Sequence, residues 1–282
     1  MIAASTAKPL VSKLFLRKKL AKYWALVRAN INNSLVHIVP LFSRTGLVIM
    51  RVWVLSYLYL AIYQSSHTDI INGFTIPMVI WGVIFAQSFQ AAARPPVAKV
   101  IEEEIKSGVI AYSISKPYSF LLFHLASFVG KTLPLLVVNI FIGCFVAWLL
   151  VGMISIPATT LLLATLTVIL GYLIEFIIFL FIGLLAFWLE DITPILWNYN
   201  KAQLIFSGLI MPVAFFPEGL RTIVEYLPFT QIYYAPSRLL VNFDWVIFWH
   251  YTSIQLFWIL FLGVGTYLFL RKAIKYVSIN GG

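Results

Sequence analysis

The longest apolar run of the chain sets the first limit on its fold. Residues 157–188 carry one charged side chain, Glu175. About 20 apolar residues suffice to cross the hydrocarbon core of a bilayer, and several comparable runs follow one another along the sequence. Only 11% of the residues are charged, whereas a soluble domain carries about a quarter. The sequence therefore predicts an all-α polytopic membrane protein.

We expect six transmembrane helices in one central domain, with a cytoplasmic region on each side of it in the sequence. Residues 1–45 are expected to form a cytoplasmic N-terminal region, with an amphipathic interfacial helix over residues 14–39. Residues 46–270 form the transmembrane domain, and residues 271–282 form a cytoplasmic tail. The predicted spans are residues 46–64, 74–93, 132–152, 157–188, 202–216 and 245–270.

The distribution of basic residues orients these spans. Seventeen of the 20 Lys and Arg residues fall on one side, which the positive-inside rule assigns to the cytoplasm. We therefore expect both termini in the cytoplasm. The net charge of +10 then reflects topology and contact with anionic membrane lipids, and no nucleic-acid partner is expected.

The loop at residues 94–118 is predicted to contain a cytoplasmic helix. The prolines at positions 95 and 96 prevent a helix from starting earlier, and Gly108 is a plausible stop. Residues 97–107 then read as a short amphipathic helix that is either docked on a partner or solvated. Its apolar positions are Val97, Val100, Ile101 and Ile105, and its charged positions include Glu102, Glu103, Glu104 and Lys106.

A second irregular segment, residues 215–243, is too polar to span a membrane and too apolar for a free loop. Prolines at positions 217, 228 and 236 divide it into helices at residues 218–227 and about 230–240. We expect a broken hairpin that re-enters the outer leaflet, where neighbouring protein satisfies its backbone. Its candidate residues are Pro217, Glu218, Glu225, Pro228 and Arg238.

Three polar residues lie within or near the predicted spans. A carboxylate such as Glu175 is costly in a membrane; it either contacts substrate or a proton, or bonds a neighbouring helix. Arg51 either extends to the headgroups or pairs with Glu175. Asn139 is expected to be a packing or interfacial residue.

Catalytic and cofactor motifs are lacking in the sequence. Four scattered histidines and one cysteine predict no zinc site. The tripeptide "GKT" at residues 130–132 is not a phosphate-binding loop, because position 125 is Leu where such a loop needs Gly. We expect no enzyme activity in this chain and no bound cofactor.

Three stretches carry a resemblance to ABC-2 type exporter permeases of the short, stand-alone branch. "YWALVRANINNSL" (residues 23–35) is similar to that branch's lead-in helix. "IEEEIKSGVIAYSISKPYSFLLFHL" (residues 101–125) is similar to its acidic loop. "GLIMPVAFFPEGLRTIVEYLPFTQIYYAPSRLL" (residues 208–240) resembles the paired short outer helices of these permeases.

The resemblance implies a transporter subunit in a bacterial inner membrane. Such permeases form homodimers or heterodimers and pair with two ABC ATPase subunits, which bind ATP and Mg. The helix in the loop after the second span docks on the ATPase as a coupling helix, which here comprises residues 97–108. The implied substrate is a hydrophobic or amphiphilic small molecule, with a polysaccharide or glycolipid exporter and a non-transporting membrane scaffold as the alternatives.

Overall fold

The structure, a computed structural model, describes the backbone of residues 7–36, 38–93 and 96–280. Side chains are described for residues 21–36, 46, 49–93 and 96–275, so the predicted helix break at Arg94 and Pro95 lies outside the described residues. Within these ranges the chain is almost entirely helical, which confirms the predicted all-α class. The α-helices are α1 (Ala7–Val36), α2 (Ile38–Ser66), α3 (Ile76–Ala92), α4 (Val97–Lys106), α5 (Val109–Ser115), α6 (Phe120–Val151), α7 (Ala158–Leu184), α8 (Thr193–Phe206), α9 (Glu218–Tyr226), α10 (Pro228–Val241) and α11 (Trp245–Asn280).

A small hairpin connects α2 to α3. Its strands β1 (Ile70–Ile71) and β2 (Phe74–Thr75) pair antiparallel, with Ile70 opposite Thr75. Asn72 and Gly73 form the turn with φ angles of 50° and 81°, the left-handed conformation that an Asn-Gly turn favours. The hairpin brings α3 back alongside α2.

Four segments of the described residues are long and apolar enough to cross a membrane. They are Ile76–Lys106, Phe120–Val151, Ala158–Phe187 and Trp245–Lys275. The first of these includes both α3 and α4. The chain is thus a multi-pass helical membrane protein.

The predicted span at residues 202–216 is not one helix, and the structure corrects this prediction. α8 ends at Phe206, and Gly208 takes a left-handed φ of 72°. A Cβ at Gly208 would lie 2.7 Å from the Tyr234 ring, so only glycine fits this turn. Pro212 follows without a backbone donor, and a single 3-10 turn, Val213–Phe215, precedes α9.

All but the last residue of the third predicted span, residues 132–152, lie within a longer helix. α6 begins at Phe120, where the Ser119 side chain accepts a hydrogen bond from the Leu122 amide. It continues through Pro134 to Val151. The segment before residue 132 is therefore part of the same helix.

Helix α1 packs along the first half of α6. Gly130 makes the contact possible, because a Cβ there would lie 2.7 Å from the Val27 carbonyl oxygen. Val27 is buried and Tyr23 and Ile31 are partly buried, whereas Trp24 is 66% exposed. The structure thus has a helix over most of the predicted residues 14–39, and its interfacial position stays a prediction.

The rest of the fold places two helices at the centre. α3 contacts α2, α6 and α10, and α7 contacts α4, α10 and α11. Of the described core side chains, Ile84, Phe89, Ile174 and Tyr233 are among the most deeply buried. α7 thus links the short helix α4 at one end to the α9–α10 hairpin further along.

Candidate functional site

The predicted loop helix is confirmed as α4, one residue shorter than expected. Ser107 caps its C-terminus, and Gly108 follows with a left-handed φ of 74°. Helix α5 follows directly at Val109. We call the unit α4–Gly108–α5 the elbow.

One face of the elbow is buried against α7. Ile101 is fully buried and Val97 nearly so, while Val100 and Ile105 are partly buried. Gly183 of α7 allows the close approach, since a Cβ there would lie 2.9 Å from the Ile101 Cβ and 3.0 Å from the carbonyl oxygen of Ala98. The apolar face of α4 is therefore covered largely by this chain itself.

Glu102 joins α4 to the start of α8. Its side chain is 4% exposed and accepts from Lys99 Nζ at 2.7 Å through Oε2 and from Lys106 Nζ at 2.8 Å through Oε1. Oε1 also accepts from the backbone N–H of Ile192, at 3.2 Å. Since Ile192 is fully buried and precedes the first residue of α8, Glu102 fixes the position of that helix's N-terminus.

A second bond between the same two helices passes through Asp191. Lys99 Nζ lies 3.2 Å from Asp191 Oδ1 and 2.6 Å from Thr193 Oγ1. The Thr193 hydroxyl and backbone N–H also donate to Asp191. Together with Lys99, these donors hold the pKa of the Asp191 carboxyl well below its usual range, so it is ionised at neutral pH.

The three consecutive glutamates occupy three different environments. Glu102 is buried, Glu103 is exposed, and Glu104 is partly buried with Oε2 3.6 Å from His124 Nε2. His124 is itself buried between the rings of Phe120 and Phe123. The predicted coupling residues thus divide into an inward set and an outward set.

The outward set, together with two residues of α5, forms the exposed side of the elbow. Glu103, Lys106 and Gly108 are exposed, and Val109 and Tyr112 are 48% and 65% exposed. We call these five residues the elbow surface. Val109 and Tyr112 provide exposed apolar area, although Lys116 Nζ covers part of the Tyr112 ring, 4.5 Å from its centre.

Glu175 lies at the centre of a buried hydrogen-bond network. It is fully buried on α7. Tyr199 Oη of α8 donates to Oε2 at 2.6 Å, Gln203 Nε2 lies 3.0–3.1 Å from both oxygens, and Tyr233 Oη of α10 donates to Oε1 at 3.2 Å. The carboxylate therefore joins α7, α8 and α10, which agrees with the predicted hydrogen bond to a neighbouring helix. A role of Glu175 in transport stays a prediction.

Arg51 and Asn139 lie in polar contacts between helices. Arg51 is exposed, and its Nη1 donates to Gln87 Oε1 at 3.0 Å and to Gln90 Oε1 at 3.5 Å, both on α3. Asn139 is buried on α6, where its backbone oxygen accepts from Ser88 Oγ at 3.1 Å. Asn139 therefore takes part in the packing of α3 against α6.

The segment predicted as a broken outer hairpin contains two short helices, α9 and α10, while its position in the outer leaflet stays a prediction. Pro217 precedes α9, Glu218 is its first residue, and Pro228 is the first residue of α10. Glu225 Oε1 lies 3.6 Å from Arg221 Nε, and the Arg238 guanidinium lies 4.9 Å from the centre of the Phe74 ring. The candidate residues of this segment are thus spread over the whole hairpin.

The turn between α9 and α10 contacts α11 well beyond the start of that helix. Trp258 Nε1 donates to the Tyr226 carbonyl oxygen at 2.8 Å, and Trp258 is thirteen residues after the first residue of α11. At about 1.5 Å per residue, the turn lies roughly 20 Å along α11. Gln255 adds a contact, since its Nε2 donates to the Gln231 carbonyl of α10 at 2.8 Å and to the Thr167 carbonyl of α7 at 3.0 Å.

Sequence reasoning missed the partners of both buried carboxylates. The Tyr199 and Gln203 side chains that bond Glu175 are four residues apart on α8, a spacing that places them on one helix face. For Glu102, the available signal was that it lies four residues after Ala98, on the buried face of α4. Neither pattern identifies which carboxylate and which donors meet, because the helices that carry them are distant in sequence.

Comparison with known proteins identifies the family. A family model described as an ABC-2 family transporter protein matches residues 47–280, which include most of α2 and all of α3–α11. None of the curated proteins compared with the chain matches it. Since the matched region covers far more than half of the 282 residues and contains the elbow, the Glu175 network and the hairpin, the chain belongs to the ABC-2 family of transporter proteins.

Proposed function

We propose that this chain is the permease subunit of an ATP-driven exporter and that two ABC ATPase subunits dock on the elbow surface. Membership of the ABC-2 family, which implies association with ABC ATPase subunits, supports this proposal. We propose further that ATP and Mg bind to those partners and not to this chain. The observation that carries the docking proposal is the two-sided elbow. One side is fixed to α7 and α8, and the other exposes Val109 and Tyr112.

These contacts would transmit a movement of the ATPase to the membrane-spanning helices. A displacement of α4 acts on α7 through the contact at Gly183 and on α8 through the Glu102–Ile192 bond. α7 and α8 are in turn joined to α10 through Glu175. Packed helices move as units rather than deform continuously, so the elbow, the buried carboxylate and the hairpin would shift together.

The proposed substrate is a hydrophobic or amphiphilic small molecule. α2 and α6 pack against each other, and both expose aromatic side chains. Trp53 and Tyr57 of α2 are 53% and 56% exposed, and Phe141 of α6 is 73% exposed. In a homodimer or heterodimer of permeases, these faces would form the walls of an apolar pathway between the two subunits.

The topology proposed for this function has six crossings with both termini in the cytoplasm of a bacterial inner membrane. α2, α3, α6, α7 and α11 supply five crossings, and α8 with the turn after it supplies the sixth. The position of the hairpin turn beside Trp258 supports re-entry of α9 and α10. In this arrangement the elbow lies on the cytoplasmic side, where ATP is available.

ATP turnover of the assembled complex tests the proposal. The permease is purified with its co-purifying ABC ATPase, reconstituted in nanodiscs, and compared with the elbow variant Val109→Ser/Tyr112→Ala. Loss of a large interfacial aromatic costs about 2 kcal/mol or more in binding at a central position, so we expect ATPase association to weaken at least about tenfold. Tyr226→Ala is the matched control, because Tyr226 is also an exposed tyrosine, at 54%, but lies on the hairpin.

Two results would contradict the proposal. If no ATPase co-purifies with the wild-type permease, the transporter assignment fails for this chain. If the elbow variant retains wild-type ATPase association and substrate-stimulated turnover, the docking site lies elsewhere.

A further inference from the structure

The outward face of α11 contains an apolar groove that the proposed transport function does not use. The groove has a volume of about 590 Å³ and lies between α11 and α7. Its walls are formed chiefly by Phe181 of α7 and by Phe257, Leu260, Phe261, Val264 and Leu268 of α11. The α11 side chains are exposed, with Leu260 at 69% and Leu268 at 59%.

A glycine lines the groove near its C-terminal end. Gly265 is exposed, and a Cβ added to it would meet no heavy atom within 4 Å. Among the described residues, no packing contact accounts for the glycine. The space above it is continuous with the groove, because Gly265 also lines it.

The same stripe of α11 ends in basic residues. From Leu268, Arg271 is three residues and Lys272 four residues further on, which places both on the groove's side of the helix. Both are exposed, and the Arg271 guanidinium lies 4.7 Å from the centre of the Tyr267 ring. An apolar surface thus leads directly to a cationic one.

The length of the groove matches one half of a bilayer. Phe257 and Leu268 are eleven residues apart, or roughly 16 Å along the helix. The hydrocarbon core of a membrane is about 30 Å thick, so one leaflet contributes about 15 Å. A lipid chain lying in the groove would place its phosphate at the level of Arg271 and Lys272.

We propose that this face of α11 is a binding site for an anionic glycerophospholipid of the leaflet at the C-terminal end of α11. One acyl chain lies in the groove over Gly265, and the phosphate contacts Arg271 and Lys272. The lipid is a resident ligand on the outer surface of the subunit and is distinct from the transported substrate. The proposal requires only that α11 spans a membrane.

Charge favours a lipid over a second copy of the chain. Two copies in one membrane have parallel orientation, so a symmetric contact through this face places equivalent residues at the same depth. Arg271 and Lys272 of one copy would then face the same cations of the other. An anionic headgroup neutralises these charges, whereas a symmetric contact brings like charges together.

Lipid titration of the full-length chain tests the charge requirement. Delipidated protein in detergent is titrated with phosphatidylglycerol or with phosphatidylcholine, and bound lipid is counted by native mass spectrometry. The wild-type chain should retain phosphatidylglycerol more tightly. Each basic residue near an anionic lipid contributes about 1 kcal/mol of attraction. The double variant Arg271→Gln/Lys272→Gln should therefore lose roughly thirty-fold in affinity for the most tightly bound phosphatidylglycerol. Its affinity for phosphatidylcholine should change little.

Lys201→Gln is the matched control for this titration. Lys201 is also exposed and its Nζ lies 5.2 Å from the centre of the Trp197 ring, but it does not line the groove. It should leave the tightest binding unchanged. Equal losses in the control and in the double variant would overturn the proposal, because they would show a general charge effect.

The groove itself is tested by filling it. Gly265 is exposed and a Cβ there would meet no described heavy atom within 4 Å, so the variant Gly265→Phe should unfold thermally like the wild type while it releases the tightest phosphatidylglycerol. Unchanged phosphatidylglycerol retention in this variant would overturn the proposed chain position. A photo-crosslinking residue at Leu268 should capture phospholipid in nanodiscs; capture of a second permease copy in its place would also overturn the lipid assignment.

Discussion

Replacement of Glu102 and of Glu103 by alanine should have very different effects on stability, although the residues are adjacent and identical. Glu102 is buried and accepts from two lysines and from the Ile192 backbone N–H. Glu103 is exposed. If the two glutamates served only to keep the loop soluble, Glu102→Ala and Glu103→Ala would have equal effects on stability.

The size of the Glu102→Ala effect follows from what each donor loses. The N–H of Ile192, a fully buried residue, is left without its side-chain acceptor, which costs about 1–3 kcal/mol. Lys99 keeps its bonds to Asp191 and Thr193, and Lys106, which is 47% exposed, returns to water. Each lost ion pair therefore contributes less than about 1 kcal/mol. We therefore expect Glu102→Ala to destabilise the fold by about 2–4 kcal/mol. Glu103→Ala should stay within about 0.5 kcal/mol, as at other exposed positions.

Glu102→Gln separates the hydrogen bond from the ion pairs. The amide keeps one oxygen for the Ile192 N–H but loses the charge, and its NH2 group cannot accept from Lys99 as Oε2 does. Its cost should therefore lie between those of Glu102→Ala and wild type. Unfolding of the purified permease in nanodiscs, followed by temperature or denaturant, measures all three variants. The reasoning is refuted if Glu103→Ala destabilises as much as Glu102→Ala, or if Glu102→Gln is no milder than Glu102→Ala.

The sequence predicted α4 well because its boundaries are set locally. Pro96 restricts the chain before the helix, and Gly108 adopts the left-handed conformation that ends it. These effects depend on one residue and its immediate neighbours. The predicted residues 97–107 therefore agree with the observed Val97–Lys106 to within one position.

The break after α8 could not be found in the same way. The segment at residues 202–216 is apolar enough to suggest a span, and hydropathy records residue types without their partners. The turn at Gly208 depends on the ring of Tyr234, 26 residues later in the chain. A contact of this kind becomes visible only when α10 is in place.

Glu175 shows the same limit for the candidate site. Its presence in an apolar run predicts a function or a hydrogen bond, and the sequence leaves both open. The decision depends on Tyr199, Gln203 and Tyr233, which come from two other helices. Polar groups buried in a helical bundle are satisfied across helices, so their roles depend on tertiary structure.

Three further substitutions test the contacts that hold the site together. Glu175→Gln replaces one acceptor oxygen of the network with a donor NH2 group, which leaves a buried Tyr or Gln donor without its acceptor, and should lower thermal stability by about 1–3 kcal/mol; unchanged unfolding would show that the network does not stabilise the bundle. Gly130→Leu should separate α1 from α6 and speed proteolysis within α1, and equal cleavage rates would contradict the packing. Gly183→Val introduces a Cβ 3.0 Å from the carbonyl oxygen of Ala98, so α4 must move away from α7 and ATP turnover of the complex should fall. Gly219→Val, where a Cβ meets nothing within 4 Å, is its control, and similar turnover in both variants would mean that the α4–α7 contact does not transmit ATPase movement.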